Sequence, residues 1–293
     1  MTNLIVKPLS SALGAEIIGG NYSQPLNDED ISLIYSSFLK YHLLCLRSNK
    51  LNSRELYRLA NYFGLPFTEI TRNHWDQTVP EISILDSTYK SLEEKPQDTR
   101  LNRRNGWHTD HSFKKYPPKA TILHGIEIPS FAGHTRFCNT QKAYDDLPPA
   151  KKEQLSQYKA VHCYDTIRAQ ASAVKRTAEE IKDTPDVIHP LIRKHTETGK
   201  KAIYFNANRT DSIVGLSRKI SDKILDDIDK HITQDKYRYD HKWETGDIII
   251  WDNRCLIHSV NVDYPIGEPR IHLRTLIKAV SYTHLTLPTK RIV

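Results

Sequence analysis

The stretch Trp107-His108-Thr109-Asp110-His111 decides how the rest of the chain is read. Side chains of an extended strand alternate with period two, so His108 and Asp110 project from one face and His111 from the other. A neutral imidazole beside a carboxylate can grip one side of a metal ion and leave its other side open. Two polar residues on a strand edge are also an ordinary solvated feature, so a third ligand must come from elsewhere. Trp251-Asp252-Asn253-Arg254-Cys255-Leu256-Ile257-His258 offers one. It continues the apolar run Ile248-Ile249-Ile250, which puts His258 at the rim of a core. Two histidines and one carboxylate with open positions form the facial triad of non-haem iron(II) sites. Arg270 and Arg274 follow on the next predicted strand. A guanidinium there suits the far end of a dicarboxylate co-substrate, because its planar fork makes two charge-assisted hydrogen bonds.

Composition sets the frame. With 293 residues, 38% of them hydrophobic, the chain can bury a substantial core. Its longest apolar runs are too short to span a bilayer, and Met1 to Pro8 lacks the apolar core of a secretory signal. A soluble, cytoplasmic protein with no membrane partner is expected. Cys45, Cys138, Cys163 and Cys255 are scattered without a CxxC pair, which fits reduced, buried thiols. The net charge of +7 comes without a long Lys/Arg run or a nucleic-acid motif. The expected partner is therefore a small anionic molecule and not nucleic acid; self-association into a homo-oligomer stays open.

Pattern along the chain alternates short strands with a few helices. Residues 4–20 read as a strand pair. Asn27-Asp28-Glu29-Asp30 opens a helix, Leu43 to Leu46 is a buried strand, and Ser53 caps a second helix running from Arg54 to Phe63. Strands are expected at Glu81–Leu85, Ala120–Ile128, from Thr135, Tyr158–Tyr164, Val187–Lys194, Lys201–Phe205, Tyr237–Trp243, Gly246–Trp251 and Arg270–Val280. Short helices are expected from Thr140 and from Pro149. Ser217 to Ile232 reads as an amphipathic helix with Ile220, Ile224, Leu225, Ile228 and Ile232 on one side. The polar stretch 86–104 reads as a surface loop leading into the metal-binding strand, and 168–186 as a mobile or disordered segment over the site. Residues 1–280 are expected to form one β-rich α+β domain, a barrel or jelly roll packed by helices. The tail 281–293 matches nothing before it and reads as a non-native or disordered addition.

Three motifs resemble the taurine/2,4-D dioxygenase family of Fe(II)/2-oxoglutarate-dependent oxygenases. Trp107-His108-Thr109-Asp110, with Ser112-Phe113 and Pro117-Pro118, is similar to its first metal motif. Gly133-His134-Thr135-Arg136-Phe137 resembles its Gly-Asp-Thr segment, with His134 in place of the aspartate. Trp251-Asp252-Asn253-Arg254 with His258, followed by Arg270 and Arg274, resembles its C-terminal motif. The resemblance implies a double-stranded β-helix (jelly-roll) core with flanking helices. It also implies iron(II) held by His108, Asp110 and His258, with O2 as co-substrate. Thr135 and Arg270 would take the distal carboxylate of 2-oxoglutarate, Trp251 would wall the pocket, and Arg274 would meet a substrate anion. Where taurine-specific members place a substrate histidine, this chain is matched at Ile70, with His74 nearby, so taurine is not the expected substrate. The presence of Asp110 disfavours the halide-binding variant.

Further candidates for substrate contact are His74, Arg104 and Asn206, with Asn208, Arg72 and Arg103 behind them. His111, His124, His162, His189 and His272 read as structural histidines. The implied reaction is oxidation of an unactivated C–H bond in a small amino-acid-like carboxylate or sulfonate, with release of succinate and CO2. The same chemistry can end in cyclisation or desaturation, as in the kainoid-synthase-like enzymes of natural-product biosynthesis. A zinc hydrolase, or a non-redox metal-binding jelly roll, is the competing class, but it leaves Thr135 and Arg270 without a role.

Overall fold

In the computed structural model, residues 3–70, 72–91, 106–168 and 177–279 are described. The largest sheet runs in the order Ile5–Pro8, Ala15–Ile18, Leu43–Leu46, Ile248–Asp252, Ala120–Glu127, Ile271–Ile277, Pro66–Phe67. Ser83–Asp86 pairs with the other end of Ile271–Ile277. All neighbours are antiparallel except Ala15–Ile18 beside Leu43–Leu46. A smaller antiparallel sheet holds Thr135–Asn139 between Arg238–His241 and Leu256–Val260.

The unbroken apolar strands explain the layering. Leu44, Leu46, Ile248 and Ile250 pack on one side of the large sheet with Phe38, Leu56, Leu59 and Phe63. Leu43, Cys45, Ile249 and Trp251 point to the other side, where they meet Phe137 and Leu256 of the small sheet. A strand buried on both faces must be apolar at every position, and this one is. Cys138 and Ile257, one residue out of phase, pack behind the small sheet against Leu225 and Ile228 of the helix Arg218–Ile232. The result is helices, large sheet, small sheet and helix in sequence: the jelly-roll core with its flanking helices.

Local chemistry sets the helix ends. Asn27 caps Asp28–Tyr41 by accepting from the Asp30 amide. Ser53–Asn61 is capped by Asn52 and not by Ser53: the Asn52 side chain accepts from Glu55 N at 3.0 Å, and Glu55 accepts from Asn52 N at 2.8 Å. This reciprocal pair satisfies two otherwise open amides at once. Two further expectations need correction. Ile220 is exposed at 52%, off the buried stripe of its helix. Within 168–186, Arg168 is buried against Asp222 and Asp226, and Ala178–Asp183 is helical. Thr210–Ile213, to which the sequence pattern assigns no element, pairs with Lys159–His162. All four cysteines are free and buried. The tail 281–293 lies outside the described residues, and no helix among those described is long and apolar enough to cross a membrane.

Candidate active site

His258 lies on Leu256–Val260 with the same parity as Leu256, so its ring enters the space between the sheets. It packs 4.7 Å from the Trp251 ring and 6.0 Å from that of Phe137, its cross-strand partner. His108 is not on a regular strand. It forms a single antiparallel bridge to His258, with His108 N donating to His258 O at 2.9 Å and His258 N donating to His108 O at 2.7 Å. The chain turns immediately afterwards, where His111 adopts a left-handed backbone with φ 46°.

These constraints bring three side chains together. His108 Nε2 and His258 Nε2 lie 3.8 and 3.9 Å from Asp110 Oδ1. The His108 Nδ1 donates to Gly106 O at 2.6 Å, which fixes the tautomer and leaves the Nε2 lone pair turned to Asp110. Asp110 Oδ2 accepts from the Thr121 hydroxyl, which itself accepts from Asn253 Nδ2 at 2.8 Å. Asn253 Oδ1 accepts from the Trp251 indole at 3.0 Å. Oδ1 is thus the oxygen left to face the histidines. Burial, and then the charge of His108, push His258 down to about 3, so its ring is neutral. Burial lowers His108 as well. Burial alone would raise Asp110; electrostatic coupling to His258, to the Arg274 guanidinium and to His108 outweighs it and keeps the carboxyl ionised.

Two other clusters of metal-ligating side chains lie among the described residues, Cys45/His241/Asp247 and His195/Asp252/Cys255. Both are closed structural networks. Asp247 accepts from His241 and Arg47, and Asp252 accepts from His195 and Arg254.

A cavity of about 240 Å³ opens beside the triad, lined among others by Glu69, His108, Asp110, Tyr164, Arg209 and Arg274. Of the residues expected to meet substrate, Arg274, Asn206 and Asn208 line it. Asn206 also donates to Thr109 O at 2.7 Å and Ser112 Oγ at 3.1 Å, so it holds the turn that carries Asp110. His74 is exposed on the turn Arg72–His74 and does not line the cavity. Arg103 and Arg104 lie outside the described residues. Trp251 supports His258 from behind and does not line the cavity.

His111 was expected to turn away; its left-handed backbone brings it to the cavity wall instead. Glu69, Tyr164 and Arg209 were missed. The Arg209 guanidinium donates to Tyr164 O and sits 4.2 Å over the Tyr164 ring. Glu69 and Arg274 form a two-point ion pair. Only long-range pairing reveals that contact, and no local pattern announces it.

Arg270 lies deeper and does not line the cavity. It is 4% exposed and donates through Nε and Nη2 to Gly133 O at 3.3 and 3.2 Å. No carboxylate pairs with it among the described residues, and burial lowers its pKa. An ionised guanidinium buried without a counter-ion is costly, so a matching anion is what this position lacks. Thr135, two residues beyond Gly133, accepts from the Trp243 indole at 2.9 Å and keeps its own hydroxyl proton to donate.

Residues 5–276 match the model of the taurine catabolism dioxygenase TauD, TfdA family. The chain belongs to this family. Like the other TauD/TfdA members it is a 2-oxoglutarate-dependent dioxygenase, of a family that uses iron. It is 30% identical over 269 residues to an alkylsulfatase of Acinetobacter baylyi, covering 89% of this chain and 81% of that one. It is 27% identical to an alpha-ketoglutarate-dependent sulfate ester dioxygenase of Pseudomonas putida, covering 94% and 89%. A taurine dioxygenase structure from Burkholderia xenovorans superposes with TM-score 0.81 at 25% identity, covering 95% of this chain and 90% of that one.

Proposed function

We propose that His108, Asp110 and His258 hold iron(II), and that Arg270 and Thr135 take the distal carboxylate of 2-oxoglutarate. The reaction read from this arrangement is oxidation of an unactivated C–H bond in a small, charged substrate. The observation that carries the reading is the pairing of an open His/Asp/His face with a buried guanidinium that has no carboxylate ion-pair partner among the described residues. The donor set fits the metal: two neutral imidazole Nε2 atoms and one ionised oxygen converge from a single side. The Arg270 site fits a dicarboxylate, since a distal carboxylate would accept from Arg270 and from the Thr135 hydroxyl together. When bound, iron would activate O2, which is the oxidant, and 2-oxoglutarate would supply two of the electrons as it becomes succinate and CO2.

The chain's own residues orient and enclose. The short Asn253–Thr121–Asp110 relay aims the carboxylate, Trp251 and Phe137 fix the His258 ring, and Asn206 clamps the turn after Asp110. Substrate is read as entering the cavity between Arg209 and Arg274, whose volume of about 240 Å³ suits a metabolite-sized molecule. A zinc hydrolase reading explains the triad but gives no use for the buried Arg270 guanidinium.

The test is anaerobic titration of the metal-free protein with Fe(II) and then 2-oxoglutarate. A visible metal-to-ligand charge-transfer band is expected in the wild type. It should require both additions and be absent from Asp110→Ala. No band in the wild type overturns the proposal.

A further inference from the structure

Among arginines near the site, Arg274 differs from Arg270 in one respect: its charge is already matched. Its Nε and Nη2 donate to the two carboxylate oxygens of Glu69, and both residues line the cavity that also exposes Asp110. Glu69 is 5% exposed and sits outside the iron triad and the Arg270 site. A buried carboxylate in the wall of a substrate cavity shapes what that cavity accepts, whether or not it takes part in chemistry.

We propose that the substrate carries an ammonium group beside its anionic group, and that Glu69 is the specificity-determining residue that selects for it. This rests on the reading of the cavity as the substrate site. A ligand with only an anionic end would approach an arginine already paired and would meet the Glu69 charge at close range. Such a like-charge contact is disfavoured inside a poorly solvated cavity. A ligand with both charges meets neither difficulty. Each carboxylate oxygen has two acceptor directions, so Glu69 can accept from an ammonium without releasing Arg274. The fork leaves the Nη1 donors of Arg274 over for the ligand's anionic end.

Arg209 supplies the second cation of the same wall, its guanidinium carried 4.2 Å over the Tyr164 ring and 5.6 Å from Phe113. The bound metal offsets Asp110. Beside Asp110, the charged groups that line the cavity are then the Glu69 carboxylate and the Arg274 and Arg209 guanidinium groups, a set that suits an ammonium beside an acid group. Amino-acid zwitterions and amino dicarboxylates have that pattern; simple carboxylates, sulfonates and sulfate esters do not.

The experiment uses the anaerobic protein loaded with Fe(II) and 2-oxoglutarate and reads binding from the perturbation of its visible band, without turnover. The probes are short straight-chain carboxylates in matched sets: bare, with an α-ammonium, and with an ω-ammonium. L-norleucine against hexanoate is one such pair. In the wild type an ammonium-bearing member is expected to bind at least about tenfold more tightly than its bare partner, the scale of one well-placed charge contact. Glu69→Gln should remove most of that preference, weakening the amino acid and strengthening the bare acid, whereas Glu69→Asp should keep it. A merely structural latch would weaken both partners equally and leave the ratio unchanged, which would overturn the proposal. So would a wild-type preference for bare acids, or failure of every ammonium-bearing probe to perturb a normally formed band. Absence of the band itself would instead remove the oxygenase reading on which the proposal rests.

Discussion

Thr121 is a strong test of how the proposed iron ligands are aimed. Its side chain is fully buried in the strand Ala120–Glu127, where the hydroxyl donates to Asp110 Oδ2 and accepts from Asn253 Nδ2 at 2.8 Å. Thr121→Val keeps the volume and the β-branched shape but leaves both partners buried and unsatisfied. Each such group costs about 1–3 kcal/mol, so a stability loss of about 2–6 kcal/mol is expected. The more specific effect is on the metal. Loss of a hydrogen bond that orients a ligating carboxylate weakens metal affinity by about 10–100-fold. Anaerobic calorimetric titration with Fe(II), or with Co(II) as a redox-inert substitute, measures this directly. Thr121→Ser restores the hydroxyl and should bind within about threefold of wild type, although it loses a methyl group. If valine and serine weaken binding equally, packing and not the hydrogen bond is responsible, and the proposed aiming of Asp110 fails.

Arg270→Leu should weaken 2-oxoglutarate by about 10–100-fold, the value of a buried charge-assisted contact, while Fe(II) affinity stays near wild type; equal loss of both would contradict the division of labour. His42 is pushed down to about 4 by burial, with its Nδ1 unpartnered among the described residues. Its folded-state pKa lies below the unfolded value near 6.5, so the unfolded chain takes up the proton first as pH falls. Metal-free protein should therefore lose about 1.4 kcal/mol per pH unit from this group between pH 6.5 and 4. His42→Asn, which suits the left-handed φ of 65°, should flatten that slope in denaturant melts. Phe38→Ala removes a fully buried ring packed edge-on 5.4 Å from Phe63 and should cost about 3–5 kcal/mol in chemical denaturation.

Much of the site was readable because its chemistry is local in the chain. Two ligands stand two residues apart, and the third follows an apolar strand that has to be central. The reading of His108 and Asp110 as one face survived even though the backbone there is a single bridge followed by a turn. His111 went wrong for the same reason, since strand alternation stops where φ turns positive. Helix starts shifted by one residue at Asn52 because the capping box, and not the first hydroxyl, decides the boundary. What sequence could not carry is contact across long separations. Glu69 meets Arg274 from 205 positions away, and Arg209 reaches the site on the loop after Phe205, where nothing nearby distinguishes it from a surface arginine. His74, chosen for proximity in sequence to the expected substrate histidine, turned out to lie on the outside of its turn.

The reciprocal backbone bonds between His108 and His258 have a consequence for how the protein handles its metal. The two imidazoles are tethered to each other by main chain, on segments built into separate parts of the barrel mouth, before any ion arrives. Stripping the ion with a chelator should therefore leave a folded vessel that refills, and a different divalent ion can be loaded into the same protein. Heat has the opposite character. Once that single rung parts, His108 loses its register while His258 stays on its paired strand, so retention of metal on warming becomes a gauge of whether the bridge is still closed.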